Sequence, residues 1–247
     1  MAEAIVVEGV SKRFKIANHK SIRKLTANVV QRKQLSRDLT ALNDVSFSLE
    51  QGDSIGLMGL NGSGKSTLLK LISGVMAPDD GQVLTRGRVA GLIEVGAGFH
   101  PELSGQENVY LNAAILGMSE EETDSKFDSI VEFSEMGKFL NNEVRHYSSG
   151  MFMRLAFAVA IHTECDIFLM DEMLSVGDQP FKRKCLRKIM ELKESGKTMV
   201  YVSHNPRQVL RVCNRGLVLE KGSLVFEGAA EDAVKKLGYD LEDDEDE

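Results

Sequence analysis

The sequence predicts an α/β fold with a mainly parallel core sheet, and three observations lead to this prediction. Three short runs are wholly apolar, at residues 55–58, 167–170 and 199–202, as expected for strands that are covered on both faces. Apolar residues recur at helical spacing after the first run and before the second. Each run leads into a short loop that carries polar or charged side chains, so we expect a functional site at the carboxyl edge of the sheet.

Other strands are predicted toward the two ends of the sequence. Residues 5–7 form an apolar, β-branched run that begins an N-terminal antiparallel part. Residues 216–226 alternate around Lys221-Gly222, which predicts a hairpin, and a short helix is expected from Glu231.

Composition excludes several classes of protein. The 247 residues are 43% hydrophobic and 27% charged, which is typical of a globular protein and atypical of collagen or a disordered chain. No run approaches the roughly 20 apolar residues that cross a bilayer. Cys165, Cys185 and Cys213 are too few and too far apart for a disulfide framework or a zinc site. We expect them to be packing residues in a reducing cytoplasm.

Charge is unevenly distributed. Residues 240–247 carry seven of the acidic groups behind the formal charge of −7, which predicts a solvated, unfolded tail or an interaction tail. A basic insertion is predicted over residues 12–40, because residues 12–37 hold nine Lys and Arg and no carboxylate. Ile22, Leu25 and Val29 recur there at helical spacing. The insertion is either a basic helix at anionic lipid headgroups or a solvated connection between strands.

A phosphate-binding loop follows the first apolar run. Residues 59–66, GLNGSGKS, fit the pattern G-x-x-x-x-G-K-[ST] between a strand and a helix. Gly59, Gly62 and Gly64 allow successive N–H groups to point at phosphate oxygens. Lys65 would neutralise the β- and γ-phosphates, and the Ser66 hydroxyl would ligate Mg²⁺.

The other two apolar runs end in candidate catalytic groups. Asp171 and Glu172 follow the second run, where Asp171 would hold Mg²⁺ and Glu172 would accept a proton from the attacking water. His204 follows the third run and would contact the γ-phosphate. Together with the loop, these groups indicate a P-loop nucleotide hydrolase.

A second phosphate-binding motif precedes the run that carries Asp171. Residues 147–151 read YSSGM and lead into a helix-compatible segment. Ser148 and Ser149 are natural N-caps, and Gly150 leaves room for a phosphate near the helix N-terminus. Because one triphosphate needs one cradle, we expect each copy of the chain to close the site of the other in a homodimer.

With these motifs in place, residues 3–237 resemble the nucleotide-binding subunit of ATP-binding-cassette (ABC) transporters. The resemblance implies that residues 59–67 are the Walker A loop, 167–172 the Walker B strand, 147–151 the signature motif and 175–178 the D-loop. It implies that Phe14 stacks on adenine. The nucleotide-binding residues would then be Phe14, Gly59, Asn61, Gly62, Ser63, Gly64, Lys65, Ser66, Thr67, Ser148, Ser149, Gly150 and Asp178, with Glu172, His204 and Lys65 catalytic and ATP and Mg²⁺ bound.

Departures from the common family pattern point to one subfamily of these ATPases. YSSGM replaces LSGGQ, SVGD replaces SALD, and Glu94 or its neighbour lies where a glutamine usually senses Mg²⁺. In these features the sequence resembles ATPases of bacterial surface-polysaccharide exporters, which move lipid-linked O-antigen, capsule or teichoic acid. Glu94 could ligate Mg²⁺ directly but cannot donate as an amide does.

The resemblance also implies the partners and the location. Helical patterns, with a capping box at Ser119 and Glu122, predict a helical subdomain over about residues 104–160. It would dock a separate membrane permease present in two copies, at the cytoplasmic face of the inner membrane. No nucleic-acid partner is expected.

Three alternatives stay open from the sequence. They are a cassette ATPase that acts on another cargo or on DNA or ribosomes, a nucleotide sensor that does not hydrolyse, and a P-loop kinase or GTPase.

Overall fold

A computed structural model of the protein describes residues 2–17, 36–92, 96, 98–171, 177–203 and 205–238. Within those ranges the chain forms two sheets and a set of helices. The strands are β1 (Glu3–Ala17), β2 (Ser36–Glu50), β3 (Ser54–Met58), β4 (Asp80–Thr85), β5 (Val89–Leu92), β6 (Ile167–Met170), β7 (Thr198–Val202), β8 (Arg215–Glu220) and β9 (Ser223–Ala229). The helices are α1 (Lys65–Ile72), α2 (Gly105–Ile115), α3 (Glu120–Ser134), α4 (Ser149–His162), α5 (Gln179–Glu194), α6 (Pro206–Val212) and α7 (Ala230–Lys236).

The larger sheet has the strand order β5-β6-β7-β3-β8-β9. Its first five strands are parallel, and β9 pairs antiparallel with β8. The smaller sheet is antiparallel with the order β2-β1-β4. This arrangement confirms the predicted parallel core with an N-terminal antiparallel part.

Strands β3, β6 and β7 are wholly buried because each contributes apolar side chains to both faces of the sheet. On β6, Ile167 and Leu169 join a core shared with α1 and the smaller sheet. Phe168 and Met170 join the core under α4 to α7. This double burial is the physical reason that the sequence reads as a continuous apolar run.

The predicted helical subdomain begins with a capping box that the sequence analysis did not identify. Ser104 Oγ accepts a hydrogen bond from the Glu107 N–H, and the Glu107 carboxylate accepts one from the Ser104 N–H at 2.8 Å. The capping box predicted at Ser119 and Glu122 is only half formed: Ser119 Oγ accepts from the Glu122 N–H at 3.1 Å, but the Glu122 carboxylate does not accept from the Ser119 N–H. The Glu122 carboxylate is instead paired with Arg88, which lies just before β5.

The structure describes only the two ends of the predicted basic insertion and none of the acidic residues 240–247. Residues 12–17 of the predicted basic insertion belong to β1, and residues 36–40 belong to β2, with Ala17 opposite Ser36. Ile22, Leu25, Val29 and the acidic residues 240–247 lie outside the described residues.

Other predictions concern burial and the two ends of the chain. The three cysteines are buried, as predicted. The hairpin is present, with its turn between β8 and β9 at Lys221-Gly222. Across the described ranges, no helix combines the length and apolarity needed to cross a membrane.

Candidate nucleotide-binding site

The sheet topology brings the predicted site segments to one edge. Strand β7 lies between β3 and β6 and is parallel to both. The phosphate loop after β3, Asp171 after β6 and Ser203 after β7 therefore emerge at the same carboxyl edge, where ligands of open α/β sheets bind.

The phosphate loop needs glycine at two positions where it passes close to other backbone. Gly59 has φ 142°, and a Cβ there would lie 2.2 Å from the Leu219 carbonyl oxygen. Gly64 has φ 108°, and a Cβ there would lie 2.6 Å from the Ala41 carbonyl oxygen. Both positions are closed to residues with a side chain, which fixes the path of the loop.

The hairpin turn between β8 and β9 is hydrogen-bonded to this loop. The Gly222 N–H donates to the Ser63 carbonyl at 3.0 Å, and the Gly222 carbonyl accepts from the Asn43 N–H at 2.8 Å. One residue thus joins the phosphate loop to β2.

Polar groups that suit an anion converge inside the loop. Lys65 is 8% exposed, and its Nζ donates to the carbonyl oxygens of Gly59 at 2.7 Å and Leu60 at 3.2 Å. Ser63 Oγ is buried without a hydrogen-bond partner among the described residues. Helix α1 starts after Gly64 without a side-chain cap, so its first N–H groups face the loop interior. A buried cation, an orphaned hydroxyl and an uncapped helix N-terminus suit a phosphate group.

A cleft of about 440 Å³ opens beside the loop. Its lining contains the predicted residues Phe14, Asn61, Gly62, Gly64, Lys65, Ser66, Thr67 and Asp171. It also contains Leu39, Thr40 and Ala41 of β2, which the sequence analysis missed. Phe14 is opposite Leu39 in the β1–β2 pairing, so the smaller sheet contributes one wall of the cleft.

The second phosphate-binding motif lies on other elements. Ser148 is the N-cap of α4, and its Oγ accepts from the Met151 N–H at 3.2 Å. Ser149 and Gly150 are the first two residues of that helix. The Tyr147 hydroxyl donates to the Phe139 carbonyl at 2.7 Å and thereby ties the motif to the helical subdomain. Burial raises the pKa of this phenol.

Asp178 is joined to the same helix through an arginine that was not predicted. Asp178 caps α5 by accepting from the Phe181 N–H at 3.2 Å. Arg154 of α4 donates to Asp178 at 2.8 Å and to Glu135, after α3, at 2.7 Å. Burial opposes ionisation of Glu135, but hydrogen bonds from Lys184 and Arg154 hold the pKa of its carboxyl below the usual value.

Three predicted site residues, Glu94, Glu172 and His204, lie outside the described residues. Their neighbours are described. Asp171 precedes Glu172 and lines the cleft. Ser203 precedes His204, and its Oγ accepts from the Asn205 N–H at 3.0 Å.

Comparison with known proteins agrees with this geometry. The family model described as ABC transporter matches residues 42–175. The chain is 41% identical over 239 residues to an O-antigen export system ATP-binding protein from Klebsiella pneumoniae, covering 95% of this chain and 97% of that protein. It is 40% identical over 232 residues to a teichoic acids export ATP-binding protein from Listeria innocua, covering 94% of this chain and 69% of that protein.

Solved structures share the fold. A dimeric ATP-binding cassette in a post-hydrolysis state, bound to ADP and phosphate, superposes with a TM-score of 0.72 at 23% identity. The match covers 92% of this chain and 98% of that one. On the family match and on the identity to full-length relatives, the chain belongs to the ABC transporter family and is one of its ATPases.

Proposed function

We propose that the chain is the ATP-hydrolysing subunit of an exporter that moves lipid-linked polysaccharide across the cytoplasmic membrane. The cargo would be an O-antigen, a capsule or a teichoic acid. Support for the cargo comes from the relatives, which are named for O-antigen and teichoic acid export at 40–41% identity over nearly the whole chain. The observation that carries the ATPase role is the cleft where Phe14, Lys65, Ser66 and Asp171 converge.

In this proposal the phosphate loop holds the triphosphate mainly by electrostatics. The uncapped N-terminus of α1 contributes partial positive charge, and Lys65 contributes a full one beside it. Ser63 Oγ would gain a partner when phosphate enters. Phe14 would stack on the adenine ring at the other end of the cleft.

The same cleft suits Mg²⁺. Mg²⁺ prefers hard oxygen ligands, and the Ser66 hydroxyl and the Asp171 carboxylate both line the cleft. These two side chains would hold the ion, with Glu94 as a third candidate from the sequence. When bound, Mg²⁺ supplies charge neutralisation of the phosphates.

Chemistry at the γ-phosphate is assigned to the residues that follow β6 and β7. Glu172 would accept the proton of the attacking water, and His204 would orient that water and contact the phosphate. Glu172 directly follows Asp171, and His204 directly follows Ser203. Both Asp171 and Ser203 lie at the carboxyl edge of the sheet, the edge from which the phosphate loop also emerges.

A homodimer would complete two such sites. Ser148, Ser149 and Gly150 begin α4, so a triphosphate held by a second copy could accept hydrogen bonds from this helix N-terminus. Asp178, fixed by Arg154 next to the same helix, would contact that copy as well. The permease would be a separate subunit in two copies at the inner membrane, docked on the helical subdomain.

The catalytic assignment is tested by Glu172→Gln. This change keeps the shape of the side chain but removes the proton acceptor, so we expect ATP hydrolysis to fall by at least about 100-fold. ATP binding should persist, and an ATP-bound dimer should accumulate in size-exclusion chromatography. Glu194→Gln, an exposed change on α5, is the matched control. Full turnover by Glu172→Gln would remove this residue from the mechanism.

The cargo assignment is tested in cells of the source organism. Deleting the chain should leave lipid-linked glycan inside the cytoplasmic membrane and deplete it from the surface. Wild-type protein should restore export, and the Glu172→Gln variant should not. Unchanged surface glycan in the deletion strain would contradict the cargo and leave the ATPase assignment intact.

A further inference from the structure

A second cleft, outside the nucleotide site, is lined mainly by arginines. It is lined by Arg183 and Arg187 of α5 and Arg211 of α6, whose side chains are exposed, together with Pro180 and Leu186. Its volume is about 500 Å³. We refer to these five residues as the arginine cleft.

The charge of the arginine cleft is not balanced within the described part of the chain. Neighbouring lysines on α5 have carboxylate partners, as Lys184 pairs with Glu135 and Lys188 with Glu191. No such ion pair joins Arg183, Arg187 or Arg211 to a described carboxylate. Arg183 and Arg187 are four residues apart on one helix face, where like charges are destabilising. The cleft therefore favours a ligand with several negative charges.

The same chain contains a segment of matching composition. Residues 239–247, YDLEDDEDE, carry seven side-chain carboxylates. Arginine binds carboxylates with paired, directional hydrogen bonds, so a run of acids suits three guanidinium groups.

The position of α7 brings this segment within reach. Helix α7 packs against α6, and α6 packs against α5, so the three helices lie side by side. Two interhelical spacings amount to about 16–20 Å. Nine extended residues span up to about 30 Å, which is enough to reach the arginine cleft from Gly238.

We propose that residues 239–247 dock on the arginine cleft of their own chain. A short tether gives an effective concentration in the millimolar range, so a weak electrostatic contact is sufficient for high occupancy. Docking would balance the three arginines and keep other polyanions out of the cleft. It would also cover Pro180, two residues from Asp178 and the proposed dimer contact.

Disulfide trapping in the full chain tests the proposal. Asp244→Cys is combined with Glu191→Cys, an exposed position one turn beyond Arg187, or with Thr85→Cys, an exposed control on β4. The native thiols should not compete because Cys165, Cys185 and Cys213 are buried. At low salt we expect disulfide formation to be on the order of tenfold faster for the Glu191 pair. In 0.5 M NaCl the rate for the Glu191 pair should fall, because salt screens the attraction, whereas the rate for the Thr85 pair should stay unchanged.

Two further arms separate the outcomes. Changing Arg183, Arg187 and Arg211 together to Gln in the Glu191 pair should reduce its rate at low salt to the rate that the unchanged pair shows in 0.5 M NaCl. Equal rates for both pairs at low salt would overturn the proposal. Disulfide-linked dimers in place of monomeric loops would assign the cleft to the segment of a second copy. Vesicles containing phosphatidylglycerol provide the last arm, since binding by the full chain that the triple change abolishes would assign the cleft to lipid.

Discussion

At the scale of single residues, Phe14 shows how one side chain can be placed by a distant pairing. It is half-buried on β1, faces the cleft, and lies opposite Leu39 of β2. The ammonium of Lys12 lies 5.9 Å from the centre of its ring. This placement at the mouth of the cleft favours the adenine-stacking role over the alternative of a core aromatic.

Substitution of Phe14 should therefore act on nucleotide binding. A base stacked on an aromatic ring gains about 1–3 kcal/mol, so Phe14→Ala should weaken ATP binding roughly five- to 160-fold with little change in kcat. Phe14→Tyr keeps the ring and should bind ATP like the wild type. Isothermal titration with ATP and the KM of hydrolysis measure the effect. Unchanged affinity in Phe14→Ala would exclude the stacking role.

At the scale of elements, helix α4 combines a proposed ligand-binding start with a buried end. Its first residues belong to the proposed signature motif, and its last residue, His162, is packed edge-on against Phe133 at 5.4 Å between ring centres. The imidazole Nδ1 lies 2.7 Å from the Ala158 carbonyl. Burial lowers the pKa of His162 despite this hydrogen bond, so the folded protein favours the neutral ring.

The pH dependence of stability follows from this shift. The unfolded chain binds a proton at His162 below about pH 6.5, while the folded chain resists it, so stability is present above that pH and is lost as the pH falls. For this one group the loss is at most about 1.4 kcal/mol per pH unit. Urea unfolding of the wild type and of His162→Gln between pH 7 and 5 should show a smaller acid loss in the variant. Parallel curves would contradict the assignment.

At the scale of the whole molecule, the proposed dimer divides one site between two chains. The cleft with Lys65 and Asp171 lies at the carboxyl edge of the sheet, whereas Ser148 to Gly150 begin α4. Arg154 and Glu135 join that helix to α5 and to the helical subdomain, so the signature motif and Asp178 are held together.

A mixing experiment tests this division. Lys65→Ala disables the phosphate loop, and Ser148→Arg blocks the signature motif, so each variant alone should be inactive. In a mixture, a mixed dimer has one site built from two intact halves. With random pairing in a symmetric dimer, roughly a quarter of the wild-type activity should return. Mixtures that remain inactive, or a Ser148→Arg variant active alone, would contradict a shared site.

Local sequence signals predicted much of this architecture. The runs that became β3, β6 and β7 were identifiable because burial on both faces leaves no polar position in them. The phosphate loop has its own glycine signature. By contrast, the wall of the cleft from Leu39 to Ala41 depends on pairing between β1 and β2, which are separated by residues 18–35. Such long-range pairing has no local pattern.

Ion pairs between distant elements also could not be predicted from the local sequence. Arg154 stands out in the sequence as a cation in an apolar helical segment, but nothing local indicates that Asp178 and Glu135 are its partners. The capping box at Ser104 and Glu107 does have a sequence signature, Ser followed three residues later by Glu, whereas the same signature at Ser119 and Glu122 forms only its first half.

The pairing of Ala17 with Ser36 has a consequence for how such chains can diversify. Because the two strands meet there, the span between them enters and leaves at neighbouring points, and lengthening it carries only a small, logarithmic entropy cost. A module could be exchanged at this junction while Phe14 and Leu39 keep their places. The junction is thus a natural graft point for a reporter or a foreign peptide.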